Sequence, residues 1–228
     1  MRYMIDTANV ADIKAYMEFF PIDGVTTNPT LVAAEKADFI ELITAIRDLL
    51  EPGMDFFIQL RGETAEEMVA EALKLHDYIG ENYVAKIPMC KAGLKATRIL
   101  TYEHGIPCCV TAICSRQQAL LAARAGACYV APYVNRLDNI CGDGVDLVAD
   151  VAAMLDHFEL DCEVVAASFK NIQQIQNCAV NGCHVATIKP ELFDGLISHP
   201  LTDSGIAGFD KDWKAVYGDK KILDFFAE

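Results

Sequence analysis

A lysine stands inside an apolar run, VAKIP, that Pro88 closes. If that run is a strand with Lys86 on its enclosed face, the amine loses solvation and its neutral form is favoured. A neutral amine can add to a ketone and form a Schiff base. The alternative is an outward lysine whose stem lies along apolar surface with its head in water. Other apolar runs also end in polar groups. YMI is followed by Asp6 and Thr7, and GV by Thr26, Thr27 and Asn28. DFFI ends at Gln59, CCV at Thr111, YVAP at Tyr133 with Asn135 and Arg136 beyond, and CEVVAA at Ser168. The last run offers Thr187 and Lys189, which rank lower.

Each has a chemical reading and a plainer one. The Asp6 carboxylate can move protons or hold a substrate hydroxyl. It can also cap the next helix, a task Thr7 or Asn9 can take instead. Gln59 is neither acid nor base, but it can orient a water or a hydroxyl. Thr111 and Tyr133 can complete a small cluster around that water, and Tyr133 can donate a proton itself. A core tyrosine with a satisfied hydroxyl is the plain alternative. Arg136 and Ser168 suit an anion, with a charged fork and a hydroxyl, helped by Lys170 and the following helix N-terminus. Arg136 can otherwise pair with Asp138 at the surface, which stabilises little. None of the five histidines takes a catalytic role.

These residues need a scaffold that gathers strand ends. Eight short apolar runs alternate with amphipathic segments, such as DFFIQL before TAEEMVAEALKLHDYI. Near-continuously apolar strands imply a parallel sheet buried on both faces, and the alternation implies βαβ units. Eight units in this length predict one α/β domain over 1–228, a (β/α)8 barrel, with chemistry at the C-terminal strand ends. An extra helical segment is expected over about 203–228, with Phe209, Trp213 and Tyr217 on one face. The loop 137–144 is the one long connection.

Composition narrows the partners. The 228 residues carry a formal net charge of -14, which opposes binding to nucleic acid or an anionic membrane. A small anionic substrate then needs a local positive site. The nine cysteines are odd in number and mostly sit in apolar runs. Reduced core thiols are the expectation, and no Cys/His spacing suggests a metal. The N-terminus lacks the pattern of a signal peptide, and no apolar run reaches the ~20 residues of a membrane span. A soluble cytoplasmic protein is expected.

The segments IDTANV, GVTTNPTL, VAKIPM, YVAPYVNR and AASFKN together resemble the small transaldolases and fructose-6-phosphate aldolases, and the likeness runs over nearly the whole chain. The resemblance implies a class I mechanism with no metal and no organic cofactor, and Lys86 as the Schiff-base lysine. It implies that Asp6 and Asn28 handle substrate hydroxyls and carbonyl, with Thr27 beside them, and that Arg136 and Ser168 hold a phosphate. It further implies a homo-oligomer, with a decamer that exchanges its C-terminal helix as one form. In that family Gln59 and Tyr133 resemble the aldolases, whereas transaldolases place Glu and Phe there. Reversible cleavage of fructose 6-phosphate, or a close ketose, to dihydroxyacetone and glyceraldehyde 3-phosphate is therefore the first expectation, and transaldolase the second. A non-catalytic sugar-phosphate-binding barrel is the third. Arg61, Met89 and Cys90, and the run CCVTAICS depart from the pattern. Arg61 keeps another acid headgroup, such as a sulfonate, in view, unless it merely pairs with Glu63.

Overall fold

The alternation of apolar runs and amphipathic segments becomes an alternation of strands and helices. The computed structural model describes residues 1–226 and falls into two units, Met1–Phe193 and a C-terminal one from Asp194. In chain order the first unit runs β1 (Arg2–Asp6), α1 (Val10–Met17), β2 (Gly24–Thr26), α2 (Pro29–Ala34), α3 (Phe39–Arg47), β3 (Asp55–Gln59) and α4 (Ala65–Ile79). It continues β4 (Tyr83–Pro88), α5 (Lys91–His104), β5 (Cys108–Ile113), α6 (Arg116–Arg124), β6 (Tyr129–Pro132), α7 (Val134–Asp138) and α8 (Gly144–His157). It closes with β7 (Glu163–Ala166), α9 (Ile172–Val180), β8 (Val185–Ile188) and α10 (Pro190–Ile197), which straddles the boundary. The strands pair in parallel in sequence order, and β8 returns to β1 to close the barrel. Closure leaves no strand edge exposed to pairing.

Side chains alternate along a strand with period two, so every second residue enters the barrel. Met4, Phe57, Val84, Cys109, Ala131, Val165 and Val185 form one buried apolar layer. Burying each large member stabilises by roughly 1.5–3 kcal/mol. Two residues earlier on four of these strands lie Arg2, Asp55, Tyr129 and Glu163. They form a charged floor. Arg2 ion-pairs with Glu163 and lies 3.7 Å from Asp55. The Tyr129 hydroxyl donates to Asp55 at 2.8 Å and accepts from Arg2 at 3.1 Å.

Burial raises the Asp55 pKa, and the Tyr129 hydrogen bond and Arg2 only partly oppose that. A raised carboxyl binds its proton more tightly in the native state. Its contribution to stability is thus present below the unfolded value of about 3.9 and is lost as pH rises through the folded value. Asp55→Asn should remove this slope. Thermal melts from pH 4 upward should show wild type losing ground to the variant as pH rises. Parallel curves would contradict it.

The helices begin where strands end, and short polar side chains stop each turn. Asn9, Asn28, Asp38, Cys90, Ser115, Asp143 and Asn171 each accept from a backbone N–H of the helix they open. Thr64 and Glu67 make a reciprocal capping box on α4. Each such cap is worth ~1 kcal/mol. The amphipathic segment after β2 forms two helices rather than one. The chain takes a positive φ of 52° at Lys36, and Asp38 starts α3 afresh. The loop 137–144 is tied down rather than loose. Asp138 accepts from Gly144 N at 2.9 Å and from Gln174 Nε2 at 2.6 Å.

In the C-terminal unit, α11 (Pro200–Tyr217) is capped by His199. Trp213 packs at a tilt against Tyr217, with ring centroids 4.7 Å apart, and Phe225 of a short 3-10 turn meets both edge-on. The Trp213 indole donates to Lys220 O at 2.7 Å. Phe209, expected on that face, is exposed. The expected segment 203–228 runs two residues past the described ones. Among the described residues no helix is long and apolar enough to cross a membrane.

Candidate active site

Two residues beyond the apolar layer, the same inward positions become polar. Met4 leads to Asp6, Phe57 to Gln59, Val84 to Lys86, Cys109 to Thr111, Ala131 to Tyr133, and Val185 to Thr187. The short strand β2 contributes Thr26, the register partner of Asp6. This polar ring lies at the C-terminal strand ends, where (β/α)8 barrels carry their chemistry.

Lys86 is 4% exposed and pairs in register with Gln59 on one side and Cys109 on the other. Its amine donates to Thr27 O at 2.9 Å. It is therefore an inward lysine, not a snorkelling one. Asp6 is free of capping work because Asn9 caps α1. Its Oδ1 accepts from the Thr26 hydroxyl at 2.8 Å, and Thr26 lies 2.5 Å from the Thr187 hydroxyl. Thr26 and Thr187 stand at strand ends in the sequence, but no role is read for Thr26 there and Thr187 ranks low. Their signal was register, since both stand two residues beyond an inward position.

Thr27 lies one residue out of phase with Thr26. Its hydroxyl faces away from the ring and donates to Phe57 O at 2.9 Å, so it offers the site its carbonyl rather than its side chain. Asn28 is committed at Oδ1, which caps α2 through Thr30 N and Leu31 N. That leaves its amide NH2 for other work. Thr111 and Tyr133 are 3.4 Å apart at their hydroxyls. The strand irregularity between Thr111 and Ile113 places Ala112 at φ 62°, an unusual conformation for alanine.

Arg136 does not pair with Asp138, whose oxygens serve Gly144 and Gln174. Its guanidinium lies over the Tyr133 ring, 4.7 Å from the centroid. Ser168 adopts φ 64° where β7 has ended, and its carbonyl accepts from Asn135 N at 3.0 Å. This bond ties the Ser168 turn to the segment that carries Arg136. Arg61 has no ion pair with Glu63 among the described residues. Instead Glu71 accepts from the backbone N–H groups of Arg61 and Gly62, at 2.7 and 3.0 Å, and holds that turn. A cavity of about 670 Å³ lies between α2, α3, β3 and α4. Its lining is largely apolar and includes Asn28, Gln59 and Arg61, but neither Lys86 nor Asp6.

All nine cysteines are unpaired, and Cys108, Cys109, Cys162, Cys178 and Cys183 are buried. Burial pushes the Cys108 and Cys178 thiols up to about 12, where they stay protonated and act as small apolar groups. His184 accepts from Val164 N, and His199 from Leu201 N. Both are structural.

The chain is similar to known proteins over nearly its whole length. It is 43% identical to a protein named probable transaldolase from Lachnoclostridium phytofermentans, over 96% of this chain and 100% of that one. It is 43% identical to another of that name from Lactiplantibacillus plantarum, over 97% and 100%. A solved structure of a mandelate oxidase variant superposes with a TM-score of 0.57 at 12% identity. That match covers 83% of this chain and 65% of the oxidase, and it speaks to the barrel alone. The family model for transaldolase/fructose-6-phosphate aldolase matches residues 3–220. With that span and those identities, the chain belongs to the transaldolase/fructose-6-phosphate aldolase family.

Proposed function

We propose that this protein transfers a dihydroxyacetone unit between sugar phosphates through a Schiff base on Lys86. The observation that carries the reading is the buried, inward amine of Lys86 in one polar ring with Asp6. The Lys86 amine adds to the ketose carbonyl, and the adduct takes up one proton as water leaves, giving an iminium. As the bond between C3 and C4 breaks, its electron pair moves into the iminium and forms an enamine. The C4 hydroxyl gives its proton to Asp6 and becomes the aldehyde carbonyl, which leaves with the phosphorylated fragment. An acceptor aldose then reverses these steps, and Asp6 returns its proton to the new hydroxyl. Asn28 offers its free NH2 to a donor hydroxyl. Arg136 and Ser168 are the groups suited to the phosphate of an otherwise acidic protein. The names of the relatives support the transferase reading.

One observation favours a second reading, aldol cleavage with release of dihydroxyacetone. Gln59 is not a carboxylate, and Tyr133 with Thr111 can hold a water. Such a water can pass a proton to the enamine carbon, and hydrolysis of the resulting iminium then frees the three-carbon unit from Lys86.

One assay separates the two. Purified protein receives fructose 6-phosphate alone, and glyceraldehyde 3-phosphate is followed over many enzyme equivalents. A transferase should stop near one equivalent per site and turn over once erythrose 4-phosphate is added. Sustained turnover without acceptor assigns the aldolase. No product in either arm rules out both sugars as substrates, and other anionic ketoses become the next test, with Arg61 as the reason.

A further inference from the structure

Three hydroxyl and carboxylate groups from three strands form one chain. Thr187 of β8 meets Thr26 of β2 at 2.5 Å, and Thr26 meets Asp6 of β1 at 2.8 Å. Thr26 is 0% exposed and Thr187 3%. No element of the sequence brings them together. β1 pairs with β2 on one side and with β8 on the other, so Asp6 lies between the two threonines' strands.

A hydroxyl has one hydrogen and two lone pairs. When Asp6 is ionised, its Oδ1 can only accept, so the Thr26 hydrogen is spent there. Thr26 then accepts from Thr187, and the direction of the whole chain is set. Such chains polarise along their length, and each bond strengthens the next. The Asp6 Oδ2 atom has no hydrogen-bond partner among the described residues. It is therefore the carboxylate oxygen left to face a substrate. With Thr26 held from behind, the carboxylate plane cannot rotate freely and Oδ2 keeps one direction.

We infer that Thr187 is a positioning residue, which fixes the orientation of Asp6 through Thr26 for proton exchange with the C4 hydroxyl. This rests on the Schiff-base reading above. Thr187 does not touch the substrate in this scheme, and it has no part in forming the imine. It should matter for carbon–carbon bond cleavage alone.

The test uses the full-length protein with fructose 6-phosphate and erythrose 4-phosphate. Thr187→Val keeps the shape and removes the hydroxyl. Its kcat should fall about tenfold, the size expected for one lost hydrogen bond in a network. Its KM should stay within about twofold, and borohydride should trap as much sugar on Lys86 as in wild type. Thr187→Ser should restore most of kcat. Wild-type kcat in Thr187→Val would overturn the inference. So would a serine variant as slow as the valine one, or imine yield falling in step with kcat. If the valine variant does not fold, Thr187→Ala against Thr187→Ser decides on the same terms, and equal rates overturn it. Absence of any trapped imine in wild type is a different failure. It removes the Schiff-base reading itself, and the inference with it.

Discussion

Lys86→Met should eliminate the borohydride-stable sugar adduct and lower turnover by about 10⁴-fold or more, the scale seen when a covalent catalyst loses its nucleophile. Methionine has a similar length and no amine. At a site only 4% exposed it fits the volume and removes a polar group from the interior. The variant does leave Thr27 O without the donor that meets it at 2.9 Å, at a cost of roughly 1–3 kcal/mol. These effects oppose each other, so melting should move by only a few degrees. The variant should fold and be inert. Mass spectrometry after borohydride reduction with fructose 6-phosphate checks both halves. The wild-type adduct should map to the peptide containing Lys86. An adduct that persists in Lys86→Met would assign the chemistry to another lysine.

Gly24→Ala should destabilise the fold by roughly 2–4 kcal/mol, as expected for an extra group forced into close-packed backbone. A Cβ at Gly24 would lie 2.4 Å from Asp55 O and 3.0 Å from Asp55 N. Both are backbone atoms of a neighbouring strand, so no side chain can swing aside. The strands β2 and β3 would have to part where Gly24 is in register with Asp55. Parting them disturbs Asp55 in the floor and, two residues along β2, Thr26 in the polar ring. Urea titration should show a lower midpoint with a similar slope. A midpoint equal to wild type would mean that the strands separate more easily than this packing implies.

Much of this architecture is legible in residue types because the strand period is short and regular. Eight apolar runs between helical patterns imply the barrel, and the family likeness points to Lys86, Asp6 and Asn28 as candidates. What escapes is whatever depends on phase or on distant partners. Thr26 and Thr27 both stand at a strand end. Only the pairing of Asp6 with Thr26 tells which one enters the ring. The nearest acid to Arg136 in sequence is Asp138, yet the ring of Tyr133 takes its guanidinium. The helix break at Lys36 is a backbone φ choice with no glycine or proline to announce it. The floor is hardest to foresee. Arg2 and Glu163 meet across 161 positions, and no motif links them.

The layered barrel has a genetic corollary. Gln59 ends β3 and Tyr133 directly follows β6, each two residues beyond an apolar residue that holds its strand in place whichever polar group comes next. The Glu–Phe pair that the family likeness associates with transaldolases is, under the standard code, one base change away from Gln59 and one from Tyr133. Neither exchange alters the packing layer below. Each exchange is therefore open to a lineage with this fold in a single mutational step that leaves the apolar layer unchanged.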